Sequence, residues 1–115
     1  MTVTLYHNPR CSKSRQTLAL LQERGVEPRI VEYLKTPPDA ATLDAILKRL
    51  KMEPRDLMRR KEPPYKELNL QDEGLSRSAL IAAMVEHPVL IERPIVTKGS
   101  KAALGRPPES VLEIL

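Results

Sequence analysis

Val3 and Leu5, set among Thr2, Thr4 and Tyr6, predict a buried strand at the start of the chain. Asn8-Pro9 breaks it. From Ser12 to Arg24, Leu18, Leu21 and Ala19 predict a helical apolar face, and Leu20 widens it. Gly25 is placed to end that helix as its C′ residue. After Pro28, Ile30-Val31-Glu32-Tyr33-Leu34 predicts a second strand. Strand, helix and strand in this order form a βαβ unit, with two parallel strands and a right-handed crossover.

The next stretch reads as helices. Thr36-Pro37-Pro38-Asp39 is a helix-start signal with its prolines in the first turn. Leu43, Ile46, Leu47 and Leu50 then recur at spacings of three and four. Pro54 opens a short helix through Leu57, Met58 and Arg59, and Glu62-Pro63-Pro64-Tyr65 ends it. Ser76 caps a helix carrying Leu80, Ile81, Met84 and Val85, which His87-Pro88 closes. Beyond Arg93-Pro94 the pattern changes. Ile95–Lys98 and Lys101–Leu104, separated by Gly99-Ser100, predict a β-hairpin. Gly105-Arg106-Pro107-Pro108-Glu109 opens a last helix through Val111, Leu112 and Leu115.

This is an α/β chain: a βαβ half, a helical insertion over about residues 36–90, and a ββα half. The order is the thioredoxin-like plan, a single domain over residues 1–115 with a mixed four-stranded sheet. Cys11 then falls at the C-terminal edge of the first parallel strand, where ligands of open α/β sheets tend to bind.

Composition narrows the possibilities. The chain has no Phe or Trp and three Tyr, so its core is aliphatic. Its 11 prolines fall at element boundaries and punctuate a compact fold. The net charge of +4 comes from 19 basic side chains scattered among 15 acidic ones, with no basic stripe interleaved with aromatics, so nucleic acid is not an expected partner. Met1–Tyr6 is too short and polar for a signal peptide, and no apolar run approaches the roughly 18–20 residues of a membrane span. Two His and one Cys far apart have no metal-ligand spacing, and no bound metal or cofactor is expected. One cysteine excludes an internal disulfide and fits a cytoplasmic setting. The expected oligomeric state is a monomer.

That cysteine carries the chemistry. It lies in His7-Asn8-Pro9-Arg10-Cys11-Ser12-Lys13-Ser14-Arg15, a strand-to-helix turn rich in cations. Backbone N–H groups at a helix N-terminus and nearby positive charge both favour a thiolate. Cysteine is often a small buried hydrophobe, but these polar flanks argue for an exposed, reactive thiol. Ser14 stands where C-x-x-C motifs have their second cysteine; its hydroxyl either donates to the thiolate or contributes to helix capping. His7 either tunes the charge near Cys11 or is a satisfied strand-end histidine. His87, at a helix end, is given a structural role. Arg59, Arg93 and Arg106 stand out by placement. Any one of them is a surface residue on composition alone, but the thioredoxin-like plan brings Arg93 and Arg106 towards the Cys11 end of the sheet. Guanidinium forks suit tetrahedral oxyanions.

These residues, in order, resemble the glutaredoxin-coupled arsenate reductases, the ArsC family, nearly end to end. The resemblance runs through Tyr6-His7-Asn8-Pro9-x-Cys11-x-x-Ser14-Arg15, Tyr33-Leu34 with Pro37-Pro38, and Leu57-Met58-Arg59 with Pro64-Tyr65. It continues through His87-Pro88, Arg93-Pro94-Ile95-Val96, and Arg106-Pro107 before Val111-Leu112. Arg10-Cys11-Ser12-Lys13-Ser14-Arg15 is similar to a housekeeping subgroup of that family.

The resemblance implies roles. Cys11 is the nucleophile that attacks arsenate. Arg59, Arg93 and Arg106 bind the arsenate and arsenite oxyanion. His7, Ser14 and Arg15 help keep the thiol ionised, and Pro94 follows a cis peptide bond facing the site. Arg59 is chosen over the adjacent Arg60 because it falls five residues before Pro64-Tyr65. Glutathione as co-substrate and glutaredoxin as partner then supply the reducing thiols this chain lacks. Two other readings are compatible with the fold. The sister group of Spx-like regulators binds RNA polymerase without catalysis, but many of its members carry C-x-x-C where this chain has Ser14. A thiol oxidoreductase acting on glutathione mixed disulfides would use the arginines for carboxylates.

Overall fold

The computed structural model describes residues Thr2–Leu115; Met1, the first residue of the segment weighed above as a signal peptide, lies outside them. The chain divides into two compact units, Met1–Thr36 with Arg93–Leu115, and Pro37–Glu92.

The first unit is built on a four-stranded sheet in the order β2-β1-β3-β4. Strand β1 (Val3–Tyr6) alternates buried Val3 and Leu5 with half-buried Thr4 and Tyr6. It pairs parallel with β2 (Arg29–Val31) and antiparallel with β3 (Ile95–Lys98), which in turn pairs antiparallel with β4 (Lys101–Leu104). The sheet is mixed and thioredoxin-like. Val3, Leu5, Leu21, Val96 and Val111 form its core, with Leu18, Val26, Ala103 and Ile114 packed against it.

Between β1 and β2 runs helix α1 (Ser12–Glu23). It ends as Gly25 predicts. Gly25 has φ of 75°, its N–H donates to the Gln22 carbonyl, and the Val26 N–H donates back to Leu21. That pair of bonds is a Schellman motif. The buried face differs from the expected one. It is Ser14, Thr17 and Leu21, while Ala19 is exposed and Leu18 and Leu20 are half-buried. Thr17 can be buried because its hydroxyl donates to the Lys13 carbonyl at 2.8 Å.

Strand β2 is shorter than Ile30–Leu34. Pairing with β1 stops at Tyr6 opposite Val31, and the chain then turns, with the N–H groups of Lys35 and Thr36 donating to the Glu32 carbonyl. Tyr33 is carried into the interior at 1% exposure. The last helix is a 3₁₀ helix (Pro108–Ile114) that buries Val111.

Gly105 marks a close approach. A Cβ at this position would lie 2.6 Å from Pro94 Cγ and 2.7 Å from Thr17 Oγ1. Pro94 is a rigid ring, and the Thr17 hydroxyl is already bonded. We therefore expect Gly105→Ala to destabilise the protein by about 1–3 kcal/mol, the usual range for overpacking, seen as a lower urea midpoint. Unchanged stability would mean that this contact yields freely.

In the second unit α2 (Ala40–Leu50) buries Leu43, Ile46 and Leu47, as their spacing predicts. Asp39 is its N-cap and accepts from the Thr42 N–H at 2.8 Å, so Pro37 and Pro38 precede the helix and do not occupy its first turn. The Pro54 segment is a 3₁₀ turn ending at Leu57. It does not continue helically to Arg59, because the chain there pairs with another strand segment. Met58 forms an antiparallel bridge with Ile91, the Arg59 N–H donates to Leu90, and the Glu92 N–H donates to Leu57. The Pro63-Pro64 segment begins a helix and does not end one: α3 spans Pro63–Glu67, with proline in the first turn, where its missing N–H is not needed. Ser76 caps α4 (Arg77–Glu86), accepting from the Ala79 N–H, and His87 follows as C-cap. Among the described residues no helix is long and apolar enough to cross a membrane.

Candidate active site

Strand register explains why distant residues meet. Tyr6 at the end of β1 lies opposite Ile95 at the start of β3, and Ile95 lies opposite Leu104 at the end of β4. The loop after β1 and the two segments flanking the hairpin therefore emerge at one sheet edge. Arg93 and Arg106 are symmetric about the Gly99-Ser100 turn, so extending the ladder sets them opposite each other. Both flanks stay paired there. The Gly105 N–H donates to the Pro94 carbonyl at 2.9 Å, and Arg106 Nε–H donates to the Arg93 carbonyl at 2.8 Å. The Arg93-Pro94 bond is cis, as the resemblance implies; the Arg106-Pro107 bond is cis as well.

Cys11 is the N-cap residue of α1. In an ordinary N-cap a side-chain oxygen accepts from the N–H of the second or third helical residue. Those residues here are Lys13 and Ser14. The sulfur makes no full cap hydrogen bond. It nevertheless faces both N–H groups and the Arg93 guanidinium. Burial pushes the thiol pKa up, but the Ser14 N–H, Arg93 by hydrogen bond and charge, and the Lys13 N–H outweigh it and leave the pKa lowered. The thiol is free and partly exposed, hence reachable.

The loop before the thiol is tightly held. The Cys11 N–H donates to the Asn8 carbonyl at 3.0 Å, and the Arg10 N–H to Asn8 Oδ1 at 3.0 Å. Arg15 Nη1 donates to the Pro9 carbonyl at 3.0 Å, clamping the loop onto the helix. Ser14 is fully buried, and its hydroxyl meets His7 Nδ1 at 2.6 Å and the Asn8 N–H at 3.1 Å. These bonds tie the end of β1 to α1. His7 is 6% exposed. Burial lowers its pKa, Glu32 opposes that and Arg15 adds to it, so the neutral ring is favoured. Ser14 Oγ thus accepts from the Asn8 N–H and shares a hydrogen bond with His7 Nδ1, so one buried hydroxyl joins the strand end to the helix.

Arg59 belongs to the second unit, where its guanidinium lies between two carboxylates: Nη1 to Glu92 at 3.1 Å and Nε to Glu62 at 3.4 Å. Its side chain is 26% exposed. Arg60 instead donates to the Arg55 carbonyl and stays more than half exposed.

Sequence reasoning placed the thiol on helix-end N–H groups, which are those of Lys13 and Ser14, and missed two other things. Asn8 as loop anchor was hinted at by Asn-Pro turn chemistry. Glu92, the more distant partner of Arg59, left no local signal. A concavity of about 770 Å³ is lined by Val3, Gly25, Val26, Lys98 and Leu112 at the other end of β1 from the thiol, so size does not mark the chemistry here.

The ArsC family model matches residues 6–114. The chain is 64% identical over 114 residues to the uncharacterized protein YfgD of Escherichia coli strain K12, covering 98% of this chain and 96% of that one. It is 52% identical to an arsenate reductase of Haemophilus influenzae over the whole of both chains. The solved arsenate reductase of Vibrio cholerae superposes with a TM-score of 0.97 at 56% identity, covering 100% of this chain and 98% of that one.

Proposed function

Because the chain belongs to the ArsC family, we propose that it is an arsenate reductase whose Cys11 thiolate attacks arsenate and whose reducing thiols come from glutathione and glutaredoxin. One observation carries this reading. A lowered-pKa thiol sits on the free N–H groups of α1 with the Arg93 guanidinium against it, and Arg106 is bonded to the backbone of Arg93. The arrangement suits a nucleophile that must meet a multiply charged oxyanion.

Arg93 and Arg106 offset the anion's charge as the thiolate approaches arsenic. Arg59 is assigned to the same oxyanion on the family resemblance alone. His7, Ser14 and Arg15 act by holding the loop and helix end that present the sulfur. The Cys11 sulfur bonds to arsenic and one arsenate oxygen leaves as water, with arsenic still As(V). Glutathione condenses on the adduct through its sulfur, and a second water leaves. A glutaredoxin thiolate then attacks the glutathione sulfur. The new disulfide bond forms as the arsenic–sulfur bond to glutathione breaks, and its electron pair reduces As(V) to As(III). Hydrolysis of the remaining bond releases arsenite and returns Cys11.

A reconstituted assay tests this. Purified protein with glutathione, glutaredoxin and arsenate is expected to form arsenite in proportion to enzyme. Recovery of RNA polymerase in a pull-down with no arsenate turnover would support the Spx-like alternative instead. Faster reduction of a glutathione mixed disulfide than of arsenate would favour the thiol oxidoreductase.

A further inference from the structure

A cleft of about 220 Å³ opens on the loop that delivers Cys11. Pro9, Arg10 and the buried His7 line one side, and Glu32, Leu34 and Lys35, just past β2, line the other. Three features call for explanation. The lining pairs two cations with one anion. Leu34 is 44% exposed beside them. Lys35 and Glu32 are only loosely paired, at 3.8 Å, with side chains 79% and 42% exposed. A pair this open contributes little to stability and can be re-formed around a ligand.

The chain's single cysteine sets the need. Once its sulfur is bonded to an oxyanion, a second thiol must come from outside and be held near Cys11. The cleft wall ends at Arg10, the residue covalently joined to Cys11. We propose that this cleft binds the incoming small thiol, a zwitterionic peptide with two carboxylates and one ammonium, as in glutathione. Arg10 and Lys35 take the carboxylates and Glu32 the ammonium. Pro9 and Leu34 cover the apolar part. The ligand's thiol is thereby directed along the loop to the arsenic bound on Cys11, where its sulfur condenses and water leaves. This rests on the arsenate reading for the reaction, but the binding site can be tested without it.

S-methylglutathione, which cannot condense, is titrated into the full-length protein while backbone amide NMR signals are followed. Shifts clustered at His7, Asn8, Arg10 and Glu32–Lys35 are expected. In the arsenate assay the double variant Arg10→Ala with Lys35→Glu is expected to raise the KM for glutathione roughly five- to tenfold, the range for two exposed charge pairs, with the KM for arsenate unchanged. Amide shifts elsewhere, or none, overturn the proposal, as does an unchanged KM for glutathione. Protein that binds S-methylglutathione in the cleft yet reduces no arsenate overturns the arsenate reading alone. Protein that reduces arsenate while the cleft amides stay still overturns the cleft assignment alone.

Discussion

Cys11→Ser is expected to lower arsenate turnover by more than about 10³-fold and to leave the fold intact. A hydroxyl at this position would be almost wholly protonated at neutral pH, and an alkoxide is not stabilised by a few N–H groups to the extent a thiolate is. The fold should not suffer, because serine is among the preferred N-cap residues and its oxygen can accept from the Lys13 or Ser14 N–H that now face sulfur. The sulfur makes no full cap bond, so the helix end is less well satisfied than it could be. The serine variant is therefore expected to melt at the same temperature as the wild type or higher. Arsenite formation and a thermal melt on the same preparation check both parts. Retained turnover in a folded variant would sink the nucleophile assignment.

Arg93→Ala is the second large effect: a loss of about 10²–10³ in kcat/KM for arsenate, the usual range for removing one donor to a developing charge. It should also shift the thiol. Burial acts to raise the Cys11 pKa, and Arg93 is one of the groups that overcome this by hydrogen bond and by charge. Without it the thiolate fraction at a given pH falls. The pH profile of iodoacetamide alkylation should therefore move to higher pH. Arg93→Lys separates the two roles. It keeps a cation beside the sulfur, so the alkylation profile should return most of the way. It lacks the planar fork, so kcat/KM for arsenate should stay low. An Arg93→Ala protein with the wild-type alkylation profile would show that Arg93 does not act on the thiol.

Both effects depend on residues of different legibility. The hairpin was readable because the short runs Ile95–Lys98 and Lys101–Leu104 flank a Gly-Ser turn, and once its register is known, Arg93 must face Arg106. The helix beginning at Ser12 was readable, and with it the position of Cys11 on free N–H groups. Ser14 was not. Its hydroxyl had two open roles, and the structure gives it neither as stated: it bonds to His7 and Asn8, while its backbone N–H faces the sulfur. The prolines at 63–64 also misled, because a proline marks a helix boundary without saying on which side the helix lies.

Local spacing determined the order of the strands and the longer helices, the parallel first pair, the hairpin and the place of a single thiol at a helix N-terminus. Hydrogen-bond periodicity and backbone stereochemistry act over a few residues, so they are written in the local pattern. Tertiary structure decided what surrounds that thiol: Arg93 against the sulfur, Arg106 on the Arg93 carbonyl, and His7 buried on Ser14. Within the second unit it set Arg59 between Glu62 and Glu92. Most of these contacts join residues far apart in the chain. They form only when strand register and core packing bring them together, and no periodicity along the sequence records them.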